Sequence, residues 1–273
     1  MSNMPNLSKQ DAIKITRQNA VATLTLNRPE IRNAFDDHMI QTLTQTLRSL
    51  QNDDSIKIVV LRGEGDHFCA GANIEWMRRS ATLTREGNHQ DALKLAQLLH
   101  ILNHLNKPTI AVVQGSVYGG AIGLVAACDI VVADPNTKFC FSEVKLGLVP
   151  AIVSPYVLAA IGPKASRRYM LTAEVFSAAI AEQLGLIHEV VVKDKLNTRV
   201  EQLISEIKKN GPHALAATKE LIFKLSEGKD ALQQAEYTAH LIADLRASEE
   251  GQEGLSAFLE KRKPEWQKEV AHS

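Results

Sequence analysis

The sequence contains few cysteines and no long apolar run. Its 273 residues include three cysteines, Cys69, Cys128 and Cys140, and no CxxC pair. This low, odd count argues against a disulfide scaffold and a cysteine-rich zinc site, and it favours a reducing compartment, the cytoplasm. No apolar run reaches the roughly 18 residues of a spanning helix, and the N-terminal residues lack the apolar core of a secretory signal. We therefore expect no membrane partner.

Neither sign of charge is in excess. Lysine and arginine total 31, aspartate and glutamate total 31, and the formal net charge is zero. A neutral chain has no overall attraction for nucleic acid, so we expect none as a partner. The nine histidines show no ligand spacing with cysteines or acidic residues, so we expect no metal. The 45% hydrophobic content is that of a globular protein, and the length fits one α/β domain with an appendage.

Strands alternate with helices over the first two-thirds of the chain. Alternating polar and apolar residues predict a hairpin of Ile13–Thr16 with Val21–Leu26. Further strands are predicted at 56–61, 109–113 and 129–133, and helices at 36–50, 87–105 and 119–127. Helical patterns then dominate from 165 to 261, with one strand at 189–192. The sequence thus predicts an α/β core over residues 1–200 and a C-terminal helical region over 201–273, whose apolar faces would pack on another subunit.

Two turns of small residues each follow a predicted strand and open a helix. They are FCAGAN (68–73) and QGSVYGGAIG (114–123). Free backbone amides collect at such turns, and two of them converging on one oxygen atom would form an oxyanion hole. The simpler interpretation is a strand-to-helix turn that needs small residues for packing. Cys69 in the first turn is better explained as a small packing residue than as a nucleophile.

One acidic residue, Glu143, lies in the otherwise mostly apolar segment FCFSEVKLGLVP (139–150). A carboxyl group in a dry pocket has a raised pKa and can act as an acid or a base near neutral pH. The alternative is a surface glutamate, or one in the first turn of a helix that follows Ser142. The residues alone leave both interpretations open.

The order and spacing of these segments resemble the crotonase superfamily, also called the enoyl-CoA hydratase/isomerase family. The resemblance extends over about residues 13–263 and is carried by NRP (27–29) with Asn33-Ala34, FCAGAN (68–73), KPTIAVVQGSVYGG (107–120), CDIVVAD (128–134), FSEVKLGLVP (141–150) and SAFLEKRKPEW (256–266). It implies a spiral of ββα units with a C-terminal helical region that assembles as a homotrimer or hexamer. It also implies an acyl-CoA thioester as substrate and no separate cofactor, since coenzyme A is part of the substrate.

The resemblance further implies roles for individual residues. The backbone amides of Ala72 and Gly120 would hold the thioester carbonyl and stabilise an enolate, and Glu143 would move the proton. The positions implied to bind substrate are Ile31, Arg32, Ala34, Ala70, Asn73, Ile74, Tyr118 and Ala151, together with Phe258 and Lys261 at the nucleotide end of a coenzyme A bound by a neighbouring subunit. A solvated side chain is the alternative for Arg32.

One position departs from the family pattern. Well-studied hydratases carry two glutamates, of which Glu143 matches the second, whereas the first would fall at Gly123, which cannot move a proton. Segments 118–129 and 141–174 resemble the methylglutaconyl-CoA and carboxygeranoyl-CoA hydratase branch, whose substrates carry an extra carboxylate. In that branch Gly123 would leave room near the acyl group. Arg78 and Arg79 could either contact the extra carboxylate or face solvent.

Three functions are compatible with these observations. The first is hydration of the 2,3-double bond of a branched or carboxylated enoyl-CoA. The second is enoyl-CoA isomerisation, for which one carboxyl group suffices. The third is a non-catalytic or RNA-binding relative, supported only by the basic run Lys261-Arg262-Lys263, which a solvated helix end or a contact with a CoA phosphate also explains.

Overall fold

Two compact units make up the part of the chain that the structure describes. The structure, a computed structural model, describes residues 12–226, 228 and 230–268. One unit comprises residues up to 105 together with 109–200, and the other comprises residues 106–108 with those from 201 onward. The N-terminal segment, where the sequence predicts no signal, lies outside the described residues.

Nine strands are found among the described residues, and they form two sheets. In chain order they are β1 (Ile13–Gln18), β2 (Val21–Leu26), β3 (Ile58–Gly63), β4 (Thr109–Val113), β5 (Ser116–Tyr118), β6 (Ile130–Ala133), β7 (Lys138–Cys140), β8 (Phe176–Ser177) and β9 (Glu189–Val190). The larger sheet has the order β1-β2-β3-β4-β6-β9, and the smaller has the order β5-β7-β8. The predicted strands are all present, although the last ends at Val190 rather than at residue 192.

The larger sheet is mostly parallel. Strands β1 and β2 form the predicted antiparallel hairpin, which turns at Asn19 and Ala20 with φ values of 51° and 61°. Two positive φ angles give a turn whose twist matches that of the flanking strands. Each later neighbour in the sheet is parallel. Parallel neighbours need long crossover connections, and these supply helices to the sheet.

The described helices are α1 (Asp37–Gln51), α2 (Ile74–Ser80), α3 (Arg85–Asn103), α4 (Gly120–Ala126), α5 (Ser154–Thr172), α6 (Ala178–Leu184), α7 (Leu196–Lys208), α8 (Pro212–Ser226), α9 (Ala231–Ala247) and α10 (Glu249–Leu259). Helix α1 begins after Asp36, as the sequence predicts, because the Asp36 carboxylate accepts a hydrogen bond from the Met39 amide at 2.9 Å. Helix α5 begins at Ser154, earlier than the predicted start at residue 165. Gly162 interrupts it with a φ of 69°, so a kink at Gly162-Pro163 joins two helical pieces.

The core of the first unit lies between the larger sheet and its crossover helices. Leucines of α1 and α3 pack on strands β2 and β3, and the cavity left among them holds only about 10 Å³. The fully buried side chains Leu43 and Leu47 of α1 and Leu98 and Leu99 of α3 belong to this cluster. Such close packing makes this part of the first unit rigid.

The second unit is helical, and the segment after α10 packs on its helices. The Trp266 indole donates a hydrogen bond to the Lys209 carbonyl at 3.0 Å. The Arg262 guanidinium binds both carboxylate oxygens of Glu253, at 2.7 and 2.8 Å. These contacts hold the segment after α10 against α10 and the end of α7. Several large apolar side chains of this unit are exposed, including Leu232 and Phe258, each 81% accessible. Within the described ranges, no helix combines the length and the apolar character needed to cross a membrane.

Candidate active site

The two small-residue turns lie side by side because the segments before them pair in parallel. Cys69 pairs with Val117. The Cys69 amide donates to the Ser116 carbonyl at 3.1 Å, and the Tyr118 amide donates to the Cys69 carbonyl at 3.2 Å. Ala72 is the third residue after Cys69, and Gly120 is the third after Val117. Since parallel segments end at the same edge, both turns fall at one edge of this pairing.

The backbone amides of Ala72 and Gly120 are free to bind another group. Neither N–H donates a hydrogen bond to any described residue. Gly120 opens α4, so its amide is one of the donors that a helix cannot satisfy internally. Asn73 caps α2, because its side-chain oxygen accepts hydrogen bonds from the Glu75 and Trp76 amides at 2.8 and 3.3 Å. The Ala72 amide precedes this cap and is not used by it.

Glu143 reaches the same edge from the next parallel segment. Tyr118 pairs with Cys140, and the Gly119 amide donates to the Cys140 carbonyl at 2.9 Å. Glu143, the third residue after Cys140, opens a short 3-10 turn. A Cβ atom placed on Gly119 would lie 3.3 Å from Oε1 of Glu143. The carboxyl group therefore lies over Gly119, next to the turn that presents the Gly120 amide.

The Glu143 carboxyl group is desolvated. Its Oε2 atom is buried and accepts no hydrogen bond from the part of the chain that the structure describes. Burial raises the pKa of Glu143 above its ordinary value, and a hydrogen bond with its own backbone opposes this only in part. A buried carboxyl group beside two free amides can exchange a proton with a molecule whose oxygen the amides hold.

The adjacent glycines Gly119 and Gly120 of the second turn are required by its geometry. Gly119 has a φ of 54° with a ψ of −128°, a combination that only glycine adopts without strain. A Cβ atom on Gly120 would lie 2.5 Å from Cζ of Phe35, which is closer than real atoms approach. The sequence interpretation that these glycines serve only packing is therefore incomplete, since they also set the direction of the chain at the free amide.

Comparison with known proteins identifies the family. The family model described as enoyl-CoA hydratase/isomerase matches residues 16–269. The chain belongs to this family. The resemblance seen in the motifs is thus confirmed at the level of the superfamily, and so is the crotonase fold. As a member of the enoyl-CoA hydratase/isomerase family, the protein is a lyase that acts on acyl-CoA.

Individual relatives match along most of their length. A Thermus thermophilus protein described as an enoyl-CoA hydratase is 36% identical over 244 residues, which cover 89% of this chain and 96% of the relative. The Escherichia coli 2,3-dehydroadipyl-CoA hydratase is 32% identical over 92% of this chain and 97% of its own length. The crystal structure of an enoyl-CoA hydratase from Shewanella pealeana is 42% identical, with a TM-score of 0.91, and the match covers 93% of this chain and 96% of that one.

Apolar side chains fill the space beside Gly123, the position at which the resemblance places the first of the two glutamates. A Cβ atom on Gly123 would lie 2.6 Å from Cγ1 of Val153 and 2.8 Å from Cδ1 of Leu99. The expectation that Gly123 leaves room near the acyl group is therefore wrong, because these two side chains take up the space. Ser154 offers no replacement for a carboxyl group here, since its hydroxyl donates to the Pro150 carbonyl at 2.6 Å.

Most of the residues implied to bind substrate lie in two adjacent segments of the first unit. The Ala70 amide donates to the Arg32 carbonyl at 3.0 Å, which places 31–34 alongside 70–73. Ile31 and Ala34 lie in the segment 31–34. Ile74 is the first residue of α2 and is 67% exposed. Tyr118 ends β5, and Ala151 precedes α5. Phe258 and Lys261 belong to the second unit, where both are exposed.

The candidate cations around the site are engaged in exposed ion pairs. Arg78 pairs with Glu75 and Arg79 pairs with Asp37, each at 2.7 Å. Both arginine side chains are largely exposed, which agrees with the alternative that they face solvent. In the basic run near the C-terminus, Arg262 binds Glu253, so this run presents less positive charge than its sequence suggests. Among the described residues, no group of three or more His, Cys, Asp or Glu side chains could hold a metal ion.

Sequence reasoning missed two residues that shape the site. Asn33 is fully buried, and its side chain accepts from the Arg28 amide at 2.8 Å and donates to the carbonyls of Glu64 and His67 at 2.9 and 2.7 Å. Its presence in the family motif was a signal for it. Phe35 is buried between the two turns. The one signal for it in the sequence was its position directly after the Asn33-Ala34 motif. Cys69 is buried, and burial raises its pKa to about 12, which agrees with a packing role.

Proposed function

We propose that the protein hydrates the 2,3-double bond of an enoyl-CoA whose acyl group carries a carboxylate. The observation that carries the proposal is the Glu143 carboxyl group, desolvated and placed over Gly119 beside the free amide of Gly120. Membership of the enoyl-CoA hydratase/isomerase family supports an acyl-CoA thioester as the molecule that binds here. A carboxyl group next to a polarised thioester has the chemistry that water addition requires.

The amides of Ala72 and Gly120 would hold the thioester oxygen. Hydrogen bonds from two fixed donors strengthen as negative charge develops on that oxygen, so they stabilise the enolate more than the substrate. Because the donors are part of the backbone, they need no reorganisation during the reaction. The loss of one such donor typically costs about 100-fold to 1,000-fold in kcat.

Glu143 would carry the proton. As the carboxylate it accepts a proton from water while the water oxygen bonds to C3, and the electron pair of the double bond moves to C2 and the thioester oxygen. The carboxyl group then donates that proton to C2, which restores Glu143 and leaves the 3-hydroxyacyl-CoA. A pKa raised by burial brings Glu143 closer to neutrality, where one group performs both steps well.

Coenzyme A would lie along the adjacent segments 31–34 and 70–73. We assign its binding in the first unit to Ile31, Arg32, Ala34, Ala70, Asn73, Ile74, Tyr118 and Ala151. Phe258 and Lys261 would reach the nucleotide end from a neighbouring subunit. The exposed apolar side chains of the second unit, such as Leu232, support assembly into a trimer or hexamer. Sedimentation of a stable monomer at micromolar concentration would contradict this assembly.

Two observations support a carboxylated acyl group. The segments around Gly123 and Glu143 resemble the methylglutaconyl-CoA and carboxygeranoyl-CoA hydratase branch, and the Escherichia coli relative is named for an acyl group with a terminal carboxylate. Crotonyl-CoA, 3-methylcrotonyl-CoA, 3-methylglutaconyl-CoA and 2,3-dehydroadipyl-CoA separate the possibilities by loss of enoyl absorbance. We expect the highest kcat/KM with one of the two carboxylated substrates. A preference for crotonyl-CoA would refute this part of the proposal.

Replacement of Glu143 tests the proposed mechanism. Glu143→Gln keeps the size of the side chain but cannot accept the proton, so turnover should fall by at least about 100-fold while the affinity for CoA is retained. Glu75→Gln, a change of an exposed glutamate on α2, is the matched control and should keep full turnover. Full activity of Glu143→Gln would refute the assignment.

Isomerisation is the second candidate, because the packing at Gly123 leaves Glu143 as the one carboxyl group assigned to proton transfer. An isomerase with one carboxyl group moves a proton from C4 to C2 or in the reverse direction without adding water. Incubation in deuterium oxide with a 3-enoyl-CoA distinguishes the two reactions. Double-bond migration without a 3-hydroxyacyl product would establish the isomerase and overturn the hydratase.

A further inference from the structure

Phe35 touches both of the turns that carry the free amides. Its backbone pairs with the first turn, and its ring packs on the second. The residue is 4% exposed, so these contacts are internal.

The backbone of Phe35 brackets Ala72. The Phe35 amide donates to the Gly71 carbonyl at 2.9 Å, and the Asn73 amide donates to the Phe35 carbonyl at 2.9 Å. These two bonds fix the peptide groups on either side of Ala72. The orientation of the Ala72 N–H is therefore set by Phe35 rather than by the short helix α2 alone.

The ring of Phe35 faces Gly120. A Cβ atom on Gly120 would lie 2.5 Å from Cζ and 3.2 Å from Cε1 of this ring, so the ring edge lies against the α-carbon of Gly120. The Phe35 ring also packs on the Trp76 ring. The two ring centroids are 5.7 Å apart, and the angle between the ring planes is 57°. Tilted aromatic pairs of this kind are attractive and restrict ring movement.

We propose that Phe35 is a positioning residue that sets the separation of the Ala72 and Gly120 amides. This inference rests on the proposed function, in which both amides bind one thioester oxygen. A rigid ring between the turns acts as a spacer, because the first turn is bonded to its backbone and the second rests on its edge. Since a misplacement of about 1 Å can cost about 100-fold in rate, both a shorter and a longer side chain should harm catalysis.

Three substitutions vary the spacer. Phe35→Leu shortens the contact, Phe35→Ala removes it, and Phe35→Tyr adds an oxygen atom on Cζ, the atom that faces Gly120. We expect kcat for the preferred enoyl-CoA to fall about 10-fold for Leu and for Tyr and about 100-fold for Ala, with KM changed less than about threefold. Leu47→Ala, in α1, is the packing control, because Leu47 is buried in the leucine cluster of α1 and α3 and belongs to neither turn.

A spectroscopic probe reports the amides without turnover. A thioester such as 4-(dimethylamino)cinnamoyl-CoA absorbs at longer wavelength when its carbonyl oxygen accepts stronger hydrogen bonds. Binding to the native protein should shift its absorption to the red, and the shift should shrink in all three Phe35 variants. Leu47→Ala should lose thermal stability but keep the full shift.

The double variant Gly120→Ala/Phe35→Leu tests the spacing directly. Gly120→Ala alone places a methyl group against Cζ, so kcat should fall, and the shorter leucine should recover part of that loss. An equal loss of the red shift in Leu47→Ala and Phe35→Leu, or an unchanged shift in Phe35→Ala, would overturn the proposal. So would the absence of any shift in the native protein. If Glu143→Gln kept full turnover while the Phe35 variants lost the shift, the proposed mechanism would fail and the positioning role would stand.

Discussion

Replacement of Glu143 by glutamine should stabilise the protein at the pH at which it abolishes turnover. The Glu143 side chain is half-buried, and its buried Oε2 atom has no donor among the described residues. A buried polar atom left without a hydrogen bond costs about 1–3 kcal/mol, and a charged group lies at the upper end of that range. A neutral amide in the same place lies at the lower end. The difference predicts a gain of about 2 kcal/mol for Glu143→Gln, or about 4–8 °C in Tm for a chain of this size.

The sign of the pH dependence follows from the raised pKa of Glu143. The folded state binds this proton more tightly than the unfolded state, whose glutamate has its ordinary pKa of 4.5. The native protein therefore loses stability as the pH rises from 4.5 through the raised pKa. Above that pKa the advantage of the glutamine variant is complete, and below pH 4.5 it disappears, since both states of the native protein then carry the proton.

Urea unfolding of both proteins at pH 8 and pH 4 measures this difference. Glu189→Gln is a control of opposite sign, because the Arg199 guanidinium holds the pKa of Glu189 below its ordinary value through bonds of 2.6 and 2.7 Å. That variant should be less stable than the native protein at pH 8, and the difference should vanish as the pH falls below the lowered pKa. Equal stability changes for Glu143→Gln at both pH values would refute the assignment of an uncompensated buried charge.

Three further predictions follow from the site. Gly119→Ala forces alanine to a φ of 54° and places its Cβ 3.3 Å from Oε1 of Glu143, so kcat should fall at least about 10-fold in a steady-state assay. Gly123→Glu should not speed hydration but should cost about 1–3 kcal/mol in urea unfolding, because Val153 occupies the space; faster turnover would contradict this packing. Cys69 should resist iodoacetamide in the native protein at pH 8, since its pKa is about 12, and mass spectrometry of the alkylated protein measures this.

The sequence predicted the strands of the larger sheet because each combines an apolar run with a clear stop. It did not predict the smaller sheet, since β8 has two residues and β5 has three, too few to show a period. It also placed the start of α5 too late. The pair Gly162-Pro163 does break the helix, but Val157 and Ile161 before the break pack on the core and form a first helical piece that the sequence analysis did not predict.

The sequence could predict which segments form the candidate site but not the distances between them. The turns at Ala72 and Gly120 are visible as small residues after strands, and Glu143 is visible as an acid among apolar residues. Their convergence depends on the pairing of Cys69 with Val117, which joins residues far apart in the chain and has no local signal. Phe35 could not be predicted as a spacer for the same reason, since its partner Gly120 is distant in sequence.

The packing at Gly123 also bears on the choice between hydration and isomerisation. Val153 and Leu99 occupy the place of a side chain at Gly123, and in the proposed mechanism both protons of either reaction are therefore assigned to Glu143. An isomerase needs Glu143 to reach two carbon atoms of the substrate. A hydratase needs it to reach one carbon atom and a water molecule. The buried Oε2 atom has no donor in the described protein, and a water molecule can donate to it, whereas the C–H groups of an acyl chain donate only weakly. The hydrogen-bonding deficit at Oε2 therefore favours hydration.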